Sequence, residues 1–268
     1  NNTKILNLNI QNYNLEKNGN YVGIIEMGNG LEMKNVNIDT VNLITSSPYT
    51  VGGIIGSSNY FEWEDITLNN VNILAKNLDS SIVGGLLGNG YGNINNVYAN
   101  NINIKIVNPN GNVRVGGLAG EFWNRGSKVF NVVINGNIDA ETGKVGGMIG
   151  KGIANIKNNI VKMNLITNGN FVGGLIGERL NDTVEIKNNL YIGNIINKKE
   201  TEYTDEIFGN YEMKDPNYTF EQNKINGLPI EESKNNLGIE ELSKEKTYKE
   251  ILEFDDNYNY DNLNNKLP

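Results

Sequence analysis

The chain has 268 residues, 38% of them hydrophobic, with 31 glycines, no cysteine, no histidine and a formal net charge of −8. The absence of Cys and His excludes a disulfide framework, a thiol nucleophile, a Ser-His-Asp triad and any zinc site built from His or Cys. Residues 1–199 carry 16 Lys+Arg against 14 Asp+Glu and residues 200–268 carry 7 against 17, so the body is nearly neutral and lacks the basic footprint of a nucleic-acid binder.

Asparagine supplies about one residue in five, and Asn and Gly together suit a chain full of tight turns, because both tolerate left-handed backbone. No run approaches the roughly 20 apolar residues of a membrane helix. The start at Asn1 without Met reads as a piece of a larger protein, with any signal or anchor expected outside it. Asn-x-Ser/Thr matches at Asn1, Asn181 and Asn217 are expected by chance in so Asn-rich a chain.

In chain order, a degenerate block at Val22 is followed by five blocks of Val-Gly-Gly, two apolar residues and Gly. These run from Val51 to Gly56, Val83 to Gly88, Val115 to Gly120, Val145 to Gly150 and Val172 to Gly177. Successive valines lie 29, 32, 32, 30 and 27 residues apart, a period that marks stacked repeats. Each period holds three short apolar runs. In one unit these are Ile94 to Val97, the strictly alternating Ile102 to Ile106, and Val113 to Leu118, separated by Asn/Gly turns.

Three short strands per period predict an all-β fold, a right-handed parallel β-helix of six to eight coils over residues 1–199. Equivalent strands then stack at about 4.8 Å, and handedness follows the usual chirality of parallel connections. A β-propeller needs a longer period, and no helical segment of a leucine-rich repeat is present. The block glycines are expected to serve a sharp bend or close approach between coils rather than a ligand; no P-loop pattern is present. Strict alternation leaves one apolar residue of each block (Ile54, Leu86, Leu118, Met148, Leu175) on the wrong face, which calls for a glycine bulge or a second covered surface. A column of Asn35, Asn70, Asn96, Asn131, Asn159 and Asn189 is expected to hydrogen-bond along the stack.

Residues 200–268 are expected to hold irregular last coils and an acidic cap of the same domain. Asp205 to Gly209 reads as an eroded block and Tyr218 to Gly227 as a last coil. Ile239 to Leu252 reads as an amphipathic helix covering the open end. No Asp-x-Asp-x-Asp-Gly calcium loop is present.

The VGG block alternating with I-x-N-[VIL] resembles the GLUG-type repeats of bacterial surface proteins. It is most similar to the repeat region upstream of the protease domain in M26-type zinc metallopeptidases, the IgA1-protease family. The resemblance covers roughly residues 20–195, and Leu242 to Phe254 and Leu267-Pro268 look like the terminal segment of such regions. It implies a bacterial cell-surface or secreted protein. The family's catalytic part carries His-Glu-x-x-His, and a chain without His cannot supply it, so no peptidase activity and no cofactor are expected here.

Two features are candidates for function. Loops after three successive blocks carry Tyr60, Phe61 and Trp63, then Tyr91, then Phe122 and Trp123, a candidate surface for a host protein or glycan. The column after each block, Ser57, Asn89, Glu121, Lys151 and Glu178, reads as a salt-bridge ladder of exposed pairs. Glu121 and Glu178 lack the supporting cluster that an acid–base pair of a glycan-active enzyme needs. The expected function is a noncatalytic, monomeric accessory or spacer domain. It positions a neighbouring module, by the resemblance an M26-like protease, or engages a host protein; the alternatives are an adhesin with an aromatic binding surface and a glycan-active enzyme.

Overall fold

The computed structural model describes residues 3–141, 143–180 and 184–199, with the backbone of 204–205, 219–221, 224–225 and 228–229. The chain winds into a parallel β-solenoid. Val22, Val51, Val83, Val115, Val145 and Val172 stand in one register, giving six stacked coils. Each valine belongs to a strand of two or three residues in a 7-stranded parallel sheet, and the rest of every coil feeds a 16-stranded sheet.

One coil shows how the sequence does this. Thr50–Gly52 forms the short strand, and Ile55–Lys76 then runs as one long strand folded around two corners. The corners are Asp65 (φ 56°) and Asn70 (φ 53°), and Asn77 (φ 52°) ends the run. A left-handed residue there turns the chain and puts two successive residues outside before alternation resumes. Asn and Asp bear this conformation at lower cost than most residues. Inward positions Trp63, Ile66, Leu68, Val71, Ile73 and Ala75 are all buried. They stack in columns such as Met33, Trp63, Ile94, Val129, Ile156 and Ile186, so the core is a continuous bore.

The block glycines are where two backbones meet. A Cβ on Gly84 would lie 1.9 Å from Leu87 O and 2.6 Å from the amide of Gly120; on Gly116 it would lie 2.0 Å from Ala119 O and 2.6 Å from the amide of Gly150. The first glycine of one block thus packs on the last glycine of the next, and no side chain fits between. The bend that follows resolves the alternation problem. Ile54 and Ile55 both turn inward, as do Leu86 with Leu87 and Leu118 with Ala119, and all six are buried.

The expected Asn column divides into three. Asn35, Asn96 and Asn131 sit at the first corner, where Asp65, Asn158 and Asn188 are their left-handed equivalents. Asn70 belongs instead to the second corner, level with Thr40 and Asn101. Asn159 and Asn189 point into the bore one residue past the corner. Bonding along the stack is present in all three groups, as from Asn35 Nδ2 to Asn7 Oδ1 (3.2 Å), Asn101 Nδ2 to Asn70 Oδ1 (2.8 Å) and Asn159 Nδ2 to Asn189 Oδ1 (2.8 Å).

Toward the C-terminus, Thr204–Asp205 extends the short-strand sheet beside Val172-Gly173. Thr219–Glu221 pairs in parallel with Glu185–Lys187. The helix expected over residues 239–252 lies outside the described residues.

Gly116→Ala is expected to lose more than about 3 kcal/mol in urea unfolding, because the obstacle is backbone. Gly19→Ala, whose Cβ would meet only Lys17 Cε at 3.5 Å, should stay within about 0.5 kcal/mol. Thr40 is a β-branched residue at φ 60° in a column otherwise filled by Asn. Thr40→Asn should raise stability by about 1 kcal/mol in the same assay.

Candidate functional site

Coil length varies at the second corner, where pairing slips between Ile134 and Gly136, in the turn before the short strand, which leads from Ala75 to Ile82 but from Ala140 to Lys144, and between the glycine block and the first long run. Pairing of Ile55–Lys76 with Leu87–Val107 slips between Ser58 and Phe61, and that of Ala119–Ala140 with Leu87–Val107 slips between Phe122 and Lys128. Such bulges re-aim side chains. Here they turn three aromatic rings outward on successive coils: Tyr60, Tyr91 and Trp123.

Tyr60 and Tyr91 have ring centroids 6.2 Å apart at 57°, and Tyr91 and Trp123 are 4.6 Å apart at 70°. Tyr60 is 40% exposed and Trp123 46%. The Tyr60 hydroxyl donates to Glu62 Oε1, and that bond to a carboxylate raises the phenol's pKa above its usual value. Glu62 Oε1 also accepts from Asn93 Nδ2 at 2.8 Å, which ties the row's base to the next coil.

The other three aromatic candidates are not part of this surface. Phe61, Trp63 and Phe122 are buried in the bore at 0–1% exposure, with Phe61 4.7 Å from Trp63 and 5.8 Å from Phe122 between centroids. Alternation sends Phe61 and Trp63 inward from the end of the bulge. Glycine makes room for the rings: Phe61 stands level with Gly92, and Phe122 with Gly90 and Gly152. A Cβ on Gly152 would lie 2.0 Å from Phe122 O. That large-beside-small pairing is visible in the sequence only once the bulges are placed.

The charged column stands in the expected register, Ser57, Asn89, Glu121, Lys151 and Glu178. It is a half-buried cluster rather than a row of exposed pairs. Glu178 Oε2 lies 2.5 Å from Lys144 Nζ and 3.3 Å from Lys151 Nζ, with side chains 10–20% exposed. Glu121 Oε2 faces Arg114 Nε at 3.8 Å. The residues missed from sequence are Arg114 and Lys144, which occupy the position before the block's valine. Lys144 and Glu178 flank the contact of Gly146 with Gly177, so their side chains meet across it, whereas Arg114 and Glu121 stand at the two ends of one block. Lys144 Nζ also sits 5.8 Å from the Phe171 ring centroid. Each carboxylate in the cluster faces a cation, an arrangement suited to tying coils together. Among the described residues no group of three or more Asp or Glu could hold a metal ion.

The two tryptophans should report the division between bore and surface. In Trp123→Phe the remaining emission, from Trp63, should be blue-shifted and resist iodide quenching. Trp63→Phe should leave a red-shifted, readily quenched signal. Trp63→Ala should cost about 3–5 kcal/mol, and Trp123→Ala about 1 kcal/mol or less. No protein-family model, curated protein or solved structure matches the chain.

Proposed function

We propose that this chain is a noncatalytic β-solenoid module of a bacterial cell-surface or secreted protein, wound right-handed, that spaces or positions a neighbouring module and engages a partner protein through Tyr60, Tyr91 and Trp123. The observation that carries this reading is the outward aromatic row on three successive coils, at the bulge that follows the glycine block. Rigid, amphipathic rings held on a scaffold have the composition of interface hot spots. The coils supply the stiffness: six at about 4.8 Å each give a body roughly 30 Å long. The neighbouring module, an M26-like zinc metalloprotease by the resemblance of the repeats, lies in the parent protein. The module itself works as a monomer without a cofactor. A second reading, an adhesin that binds glycan on the same rings, rests on the same exposed faces.

Surface plasmon resonance against a panel of host extracellular proteins, beside a glycan array, tests both. Binding that falls about 30-fold in Trp123→Ala, the scale of one hot-spot ring, supports the row as the contact. A protein ligand favours the first reading and an arrayed glycan the second. Binding unchanged in Trp123→Ala and Tyr91→Ala overturns the row as the contact. Cleavage of a polysaccharide by the chain, abolished in Glu121→Gln, overturns the noncatalytic assignment.

A further inference from the structure

A second surface stands apart from the aromatic row, on the outer face of the run that follows the second corner. Asn14, Asn42, Asn72, Asn103, Asn137 and Asn164 lie level on six coils. From Asn42 onward each Nδ2 donates to Oδ1 of the preceding coil, at 2.8, 2.9, 3.3, 2.9 and 3.1 Å in turn. An amide has two N–H donors and two acceptor lone pairs. Asn42, Asn72 and Asn137 therefore each keep one of both turned to solvent after the ladder is made, while Asn103 gives its second N–H to Asn101 Oδ1 at 2.8 Å.

Asn is a poor strand former. An exposed amide bond contributes little to stability, so the fold alone does not call for Asn at this position on six successive coils.

Two residues further along, the outward column reads Ile44, Leu74, Lys105, Asp139 and Ile166. Between column and ladder runs a groove of about 510 Å³, lined by both. Ile44, at one end of the groove, is 39% exposed. Lys105 Nζ and Asp139 Oδ2 lie 3.7 Å apart, so the charges in the groove oppose one another.

We infer that this groove binds a linear, uncharged, β-linked polysaccharide lying parallel to the solenoid axis. Such a chain offers hydroxyl edges and apolar C–H faces. Its sugars recur at close to the ~4.8 Å rise of the coils, so one hydroxyl edge can meet one amide per coil. The C–H faces cover Ile44 and Leu74. Balanced charge disfavours an anionic polymer, which would need a basic groove. The inference does not depend on the aromatic row.

Electrophoresis through gels containing hydroxyethylcellulose, with co-sedimentation on chitin, tests it. Wild type should be retarded or sedimented by at least one of these polymers. The double variant Asn72→Thr/Asn137→Thr, and separately Leu74→Lys, should bind about tenfold more weakly or worse, as the loss of two hydrogen bonds predicts, with thermal unfolding close to wild type. Trp123→Ala should bind as wild type. Several outcomes overturn the inference: no binding of wild type to either polymer, wild-type binding by the folded double variant, or loss of binding in Trp123→Ala, which would move the polysaccharide to the aromatic row. So would a dimer in sedimentation velocity that Leu74→Lys dissolves, since the occupant would then be a second copy.

Discussion

The fold depends on a contact that admits no side chain. The first glycine of each block lies against the last glycine of the block one coil on, as Gly52 with Gly88, Gly84 with Gly120, Gly116 with Gly150 and Gly146 with Gly177. Two backbones at that separation leave room only for hydrogen. The chain must bend immediately afterwards, and the bend drives both apolar residues of the block into the bore, where alternation alone would expose one. The valine before the contact and the apolar pair after it are thereby fixed in register on every coil. Changes of length are excluded from the block itself and fall elsewhere in the coil, among other places at the bulge where the outward rings stand.

Much of this was legible because hydrophobic period and glycine position are local properties of the sequence. The repeat of the block, the three runs per period, the parallel stack and the register of Glu121, Lys151 and Glu178 follow from counting residues. What was not legible turned on a phase change. Asn70 and Asn35 have similar neighbours, yet one occupies the second corner and the other the first, because Asp65 had taken the place where the motif expects Asn. Asn159 and Asn189 each follow another Asn, and only the backbone shows that Asn158 and Asn188 make the turn.

The aromatic residues divide for the same reason. Tyr60 and Phe61 are adjacent, and a one-residue shift in the bulge decides which faces water. Sequence composition marks the segment as aromatic without giving its phase. Arg114 and Lys144 were missed because their partners Glu121 and Glu178 stand at the other end of a glycine block, and reading down a single column does not cross it. Physical adjacency across a bend is a property of the fold, and no periodicity within one column encodes it.

The bonds that join one coil to the next run along the long axis of the body, since the parallel ladders, backbone and Asn side chain alike, connect residues about 30 positions apart. Tension applied between the two ends of the stack therefore pulls on these bonds lengthwise and loads them at the terminal coil first. A tether of this kind lengthens by peeling off one winding at a time, paying out roughly 30 residues of chain per step, while the windings behind keep their shape. Its stiffness therefore holds up to the load that frees the terminal coil, and beyond that load it yields in steps of whole windings.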